Sequence, residues 1–200
     1  MMRIGITGGI GSGKSYVCNL LRQRGIPVYN CDEEAKRLMV ESAAIRQQLS
    51  QLIGEDAYIN NVLNKPAVAR FLFANADNAA RINHIVHPVV KQDFLRWAAS
   101  QPADIVVQES AILFESGFHT TVDKTIEVFA PKAIRLKRAM QRDCATRRQI
   151  EARMAQQMDE RKKRQLADFI IRNDGIHDLP SQIDAILYKM KNQLKNSKYD

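Results

Sequence analysis

Gly8-Gly-Ile-Gly-Ser-Gly13-Lys14-Ser15 is the stretch on which the fold of this chain turns. It matches G-x-x-x-x-G-K-[ST] at every fixed position and stands between an apolar strand, Arg3–Thr7, and a helical pattern from Ser15 to Arg24. Glycines let the backbone turn through positive φ and let successive N–H groups converge on phosphate oxygens. The helix that starts here offers unpaired N–H groups and the positive end of its dipole. Lys14 is expected to bridge the β- and γ-phosphates of a nucleotide, and the Ser15 hydroxyl to ligate Mg²⁺. Gly9, Gly11, Ser12, Gly13, Lys14, Ser15 and Tyr16 are the expected nucleotide-binding residues of the loop.

Outward from the loop, strand and helix signals alternate. Gly25 stops the first helix, and Ile26–Tyr29 reads as the second strand, with a helix from Asp32 to about Met39. From about 41 to 100 there is no strand signal, and the apolar residues read as helices. Ile105–Val107 and Thr125–Phe129 are the third and fourth strands. Pro131 takes a helix N1 position for a helix to about Arg142. Thr146-Arg-Arg-Gln149 is a capping box opening the next helix. Phe169–Ile171 is a fifth strand, and an amphipathic helix from about 181 to 194 precedes a polar tail. Strands separated by helices imply a parallel sheet with helices on both faces. The expectation is a single α/β domain, a three-layer P-loop fold with a five-stranded parallel sheet. Its core is 1–40, 101–137 and 166–200, with a helical insertion at 41–100 and a lid at 138–165.

Composition narrows the function. With 45% hydrophobic residues in 200, the chain can bury a sizeable core without staples. Cys18, Cys31 and Cys144 are scattered, which fits a reducing cytoplasm rather than a disulfide framework. No stretch approaches the ~20 apolar residues of a membrane helix. The net charge of +8 suits an anionic partner. Aromatics are only 6% and are not interleaved with the basic residues, so a stacking platform for nucleic acid is not expected. The run Arg161-Lys-Lys-Arg164 is equally well a solvated helix face.

A P-loop specifies a nucleotide, not a reaction. A GTP switch needs a guanine-reading N-K-x-D loop, and Asn64-Lys-Pro-Ala67 has Ala where Asp belongs. A nucleic-acid motor needs a longer chain. The short length, the insertion after strand two and the arginine-rich segment after strand four fit a small-molecule kinase. In such an enzyme one insertion holds the acceptor and the other closes over ATP. The lid carries Arg138, Arg142, Arg147, Arg148 and Arg153, and mobile arginines can neutralise the charge spread over a transferring phosphoryl group. Arg142 is expected to reach that group and Arg138 to contact the nucleotide; which of the two stacks on adenine is left open.

Several short motifs then resemble, in order and over nearly the whole chain, the dephospho-CoA kinase family. Ile6-Thr-Gly-Gly-Ile-Gly-Ser-Gly-Lys-Ser15 is similar to that family's P-loop. Val28-Tyr-Asn-Cys-Asp32 falls where the family has a strand ending in Asp-Ala-Asp. Residues 72–75 (Leu-Phe-Ala-Asn), Ile82-Asn and His87-Pro88 resemble its acceptor-domain signature. Ile112-Leu-Phe-Glu115, Leu136-Lys-Arg138, Gln141-Arg-Asp143, Ala167-Asp168 and Asn173-Asp-Gly175 complete the resemblance. It implies transfer of phosphoryl from ATP to the ribose 3′-hydroxyl of dephospho-CoA, the last step of coenzyme A biosynthesis; a cytoplasmic monomer is the expectation for the chain, although nothing in the sequence fixes its oligomeric state. Asp32, His87 and Glu115 would serve the acceptor, Asp32 as catalytic carboxylate beside Lys14 and Arg142, and Asn173 the adenine side.

This chain departs from the family pattern at Asn30, for the first Asp of Asp-Ala-Asp, at Tyr16, for a second hydroxyl residue, and at Ala111, for Pro. Other roles stay open. Asp32 fits both a carboxylate at the carboxyl edge of strand two and a helix N-cap. His87 fits an acceptor contact or a helix end. His84 and His87 lack a third ligand for a metal site. Glu109, ending an apolar strand, resembles a carboxylate placed near Mg²⁺, although the family resemblance does not require an acid there. Phe94 and Trp97 read as packing.

Overall fold

The computed structural model describes residues 1–75 and 77–196. Along the chain, β1 (Met2–Thr7) passes through the glycine-rich loop into α1 (Lys14–Gln23), β2 (Val28–Asn30) and α2 (Cys31–Glu41). Next come α3 (Ala43–Ile53), β3 (Tyr58–Ile59), β4 (Val62–Leu63), α4 (Lys65–Ala74) and α5 (Asn78–Ala99). The remainder is β5 (Ile105–Glu109), β6 (Lys124–Phe129), α6 (Lys132–Asp143), α7 (Arg147–Ala155), α8 (Glu160–Leu166), β7 (Phe169–Arg172) and α9 (Leu179–Asn196). Of the expected polar tail, residues 197–200 lie outside the described residues.

The chain forms an α/β fold on a five-stranded parallel sheet, ordered β2-β5-β1-β6-β7. Strands β1, β5 and β6 are buried along nearly their whole length because a parallel sheet is covered on both faces. Ile4, Ile6, Ile126 and Val128 pack with Val17 and Leu21 of α1 and with Ile183 and Met190 of α9. Gly5 faces the opposite way, where a Cβ would come within 2.8 Å of the Leu113 side chain. Among the described residues, no helix is long and apolar enough to cross a membrane.

Two compact units divide the chain: Met1–Tyr29 joined with the chain from Ser100 onward, and Asn30–Ala99. Helix α2 therefore belongs with the helical unit, whereas the sequence reading began the insertion at 41. Its Arg37 pairs with Glu34 and Glu41 on its own helix and with Asp93 of α5 at 2.9 Å. Residues Ile82, Val86, Val90, Phe94 and Ala98, four apart, form the buried stripe of α5.

The structure corrects the sequence reading of several elements. Segment 41–100 contains an antiparallel hairpin, Tyr58 against Leu63 and Ile59 against Val62. Strands this short carry no periodicity to read, and the turn residues Asn60 and Asn61 adopt positive φ. The third strand continues to Glu109 instead of ending at Val107, because pairing with β1 continues to Ile6 and holds these polar residues in register. Pro131 is the N-cap of α6 rather than its first helical residue. His87-Pro88 lies inside α5 and does not end it. The apolar stripe runs on past Pro88, and its packing outweighs the one helix hydrogen bond that proline removes.

Strand alternation turns Glu127 of β6 away from Ile126 and Val128, onto the face that α8 covers. It is fully buried, and neither carboxylate oxygen has a hydrogen-bond partner among the described residues. Burial first, and the neighbouring Glu160 carboxylate second, push its pKa up to about 7, against the pull of Arg164 and Lys163. A raised acid pKa contributes stability that is complete below the ordinary value of 4.5 and lost as pH rises through about 7. Glu127→Gln is therefore expected to raise the melting temperature by about 5 °C at pH 8 and to leave it unchanged at pH 4. Equal shifts at the two pH values in calorimetry would show that the carboxyl does not titrate this way.

Candidate functional site

The loop after β1 takes its shape from close approaches. Gly11 and Gly13 hold φ of 78° and 88°, in the left-handed region. A Cβ on Gly13 would overlap the Asn173 amide, and one on Gly11 would overlap the backbone carbonyl of Arg135. Two turns lock the loop: Ser12 N–H donates to Gly9 C=O at 2.9 Å, and Val17 N–H to Gly13 C=O at 3.1 Å. Gly13 is the N-cap of α1 and has no side chain to offer the first helical amides. Those amides and the positive dipole end are donors of the kind an anion takes.

Lys14 and Ser15 converge on one carboxylate. Lys14 Nζ lies 2.6 Å and Ser15 Oγ 2.8 Å from Glu109 Oε1, with Glu109 only 2% exposed at the end of β5. Burial pushes the Glu109 carboxyl up, but the Lys14 charge and hydrogen bonds from Lys14, Ser15 and Cys18 outweigh it, so the group stays below its usual range. Its Oε2 is buried with no hydrogen-bond partner among the described residues. The sequence signal for Glu109 was its place at the carboxyl end of an apolar strand. The contact with Lys14, which gives it weight, spans 95 positions and is visible only in three dimensions.

Arg138 and Asn173 reach the same loop from the other side. Arg138 Nη1 donates to Asn173 C=O at 2.9 Å, and Asn173 Nδ2 donates to Ser12 C=O at 2.8 Å. Tyr16 is exposed on the first turn of α1. Arg142 is placed apart from the loop contacts just listed: its guanidinium pairs with Asp143 at 2.7 Å, and Arg153 takes the other oxygen of that carboxylate at 2.6 Å. Arg147 pairs with Glu151. Glu115 anchors the segment leading into α8, its Oε1 accepting from Met158 N–H at 2.9 Å and pairing with the buried Lys163 at 3.0 Å.

Within the helical unit, Asp32 lies in the first turn of α2, but the helix cap is Asn30. The Asn30 side-chain oxygen accepts from Asp32 N–H at 3.0 Å and from Glu33 N–H at 3.2 Å. The N-cap reading of Asp32 is thereby corrected, and the Asn in place of an acid still caps, since Asn and Asp cap equally well. His87 is half-buried on α5. Burial and Lys91 hold its pKa below the usual value, against a smaller upward pull from Asp32. Asp32 and His87 are thus brought within electrostatic reach of each other, with His87 neutral at pH 7. No cluster of three or more His, Cys, Asp or Glu side chains suited to a metal occurs among the described residues.

The dephospho-CoA kinase family model matches residues 2–178. The chain is similar to the dephospho-CoA kinases of Bacteroides fragilis, at 43% identity, and Porphyromonas gingivalis, at 41%, each alignment covering 98% of both proteins. Among solved structures it is similar to protein TT1252 of Thermus thermophilus, with a TM-score of 0.81 and 33% identity over 94% of this chain and 97% of that one.

Proposed function

We propose, from the premise that this chain belongs to the dephospho-CoA kinase family, that its loop site transfers the γ-phosphoryl group of ATP to the ribose 3′-hydroxyl of dephospho-CoA, giving coenzyme A and ADP. The observation that carries the reading is the convergence of Lys14 and Ser15 on buried Glu109 at the start of a helix without a side-chain cap. The α1 amides receive the phosphates, and the Lys14 ammonium balances the charge that develops on the transferring group. Arg138 and Asn173 close the adenine side of the loop. Asp32 accepts the proton of the 3′-hydroxyl as its oxygen bonds to phosphorus and the bond to the ADP oxygen breaks. His87, beside Asp32 and neutral, is an acceptor contact. Glu115, tied to Lys163, orders the lid against the turn that precedes it.

The oxygens present fit Mg²⁺. Ser15 Oγ and the uncommitted, buried Glu109 Oε2 are hard donors of the kind Mg²⁺ takes alongside substrate phosphates and water. The ion would neutralise charge on the β- and γ-phosphates. A monomer in the cytoplasm completes the reading, and the three free thiols support that compartment.

The test is an ADP-release assay offering dephospho-CoA, nucleoside monophosphates, shikimate and gluconate in turn. Dephospho-CoA is expected to give the highest kcat/KM. An equal or higher value for any other acceptor would replace it as the substrate.

A further inference from the structure

We propose that the lid segment grips the arch of the phosphate loop through one residue, Ile10, and that Arg135 and Gln157 are positioning residues for the terminal phosphate of the nucleotide. Every part of Ile10 is held from that segment or from the helix leading into it. Its N–H donates to Gln157 Oε1 at 2.9 Å, between α7 and α8. Its carbonyl accepts from Arg135 Nη1 of α6 at 3.3 Å. Its side chain packs on the small core of Leu136, Ala139 and Ile150 that joins α6 to α7.

The glycines on either side of Ile10 make this approach possible. The space a Cβ would take on Gly9 is filled by Arg135 Nη1 and Glu160 Oε1, themselves 3.2 Å apart. The space beside Gly11 is filled by the Arg135 backbone. Packing alone does not call for this ion pair. Arg135 is 6% exposed, and burying a guanidinium with a carboxylate costs desolvation that an apolar pair would avoid. What the pair supplies is a directed hydrogen bond to the Ile10 carbonyl, opposite the one Gln157 takes from its amide. Two opposed hydrogen bonds on one peptide residue fix its orientation, and Ile10 lies in the variable part of the motif, ahead of the Gly-Lys-Ser that starts the helix. Gly13–Ser15 at the start of α1 would hold an inner phosphate whether or not the arch is ordered. The terminal phosphate would need the arch in place.

This inference rests on the kinase reading above, and its test has one arm that needs no acceptor. Three variants are compared: Gln157→Leu, the double variant Arg135→Met with Glu160→Gln, which removes both charges of that pair together, and Arg135→Lys. Affinities for ADP and for a non-hydrolysable ATP analogue are measured by calorimetry, and turnover with dephospho-CoA at a temperature where each variant is folded. For the first two, ADP affinity is expected within about twofold of wild type, analogue affinity to fall about 5–10-fold, and kcat to fall about 10–100-fold, the scale of a lost positioning contact. Arg135→Lys retains a cationic donor and is expected to recover most of the loss. Parallel weakening of ADP and analogue, or no change in their ratio, would overturn the proposal. So would a Gln157→Leu or double variant that cannot fold, because the contacts would then be structural. If wild type binds the analogue more tightly than ADP but does not phosphorylate dephospho-CoA, the acceptor reading fails while the affinity ratios still decide the grip.

Discussion

Lys14→Ala is expected to lower kcat by about 10²–10⁴-fold, which corresponds to about 3–5.5 kcal/mol of transition-state stabilisation. The loss is large because the Lys14 side chain is only 12% exposed and its ammonium sits against Glu109, itself 2% exposed, where little water can substitute for it. The structure adds a second consequence. Without Lys14, Glu109 loses its closest cation and retains the Ser15 and Cys18 hydrogen bonds, so its carboxyl should shift upward and the fold should lose stability. Breaking a buried pair by removing one partner typically costs about 3–5 kcal/mol. Rates must therefore be taken well below the melting point of the variant. The double variant Lys14→Met with Glu109→Gln separates the two effects: it should regain much of the melting temperature and none of the rate. A Lys14→Ala protein that turns over near the wild-type rate while folded would remove the loop from the chemistry.

Asp32→Asn is the second large effect expected, again about 10²–10⁴-fold in kcat, the range for removal of a general base. A secondary hydroxyl is a poor nucleophile until its proton has an acceptor, and Asn cannot take one. The variant changes almost nothing else. Asn30 rather than Asp32 caps α2, through hydrogen bonds to the amides of residues 32 and 33 that the substitution leaves in place. Only the favourable placement of a negative charge in the first helical turn is lost, worth about 0.3–1 kcal/mol. The melting curve should barely move and nucleotide affinity should stay within a few-fold, so a fall in rate reads on proton transfer. If stability and rate are both near wild type, Asp32 serves the helix dipole alone, and Glu33 or Glu109 becomes the carboxylate to remove.

Much of this site was legible because its residues are local. The phosphate loop is one contiguous run in which each position has its own steric or charge requirement, so the order Gly-Lys-Ser after a strand is enough to place an anion site. The strands around it were legible for a related reason: a sheet covered on both faces favours short, mostly apolar and β-branched runs, and Ile105–Val107 is one, while Thr125–Phe129 is one interrupted only by Glu127. The capping box at Thr146 was found intact, since it too spans only four residues. The hairpin at Tyr58–Leu63 was not legible, because two-residue strands have no period and depend on a turn rather than on patterning.

What the sequence by itself determined is the phosphate loop, the parallel α/β sheet behind it and, through motifs strung along the chain, the kinase family. These follow from short-range rules: side-chain periodicity, backbone freedom at glycine, and charge beside a helix start. Only the tertiary structure decided that Glu109 holds Lys14 and Ser15, that Arg138 turns to Asn173 while Arg142 pairs with Asp143, that Asn30 caps the helix in place of Asp32, and that Arg135 and Gln157 take hold of Ile10. The physical reason is that a long charged side chain has many rotamers and several partners within reach. Which partner it takes depends on burial and on distances set by segments as far apart as residues 10 and 157, and no local pattern encodes those distances.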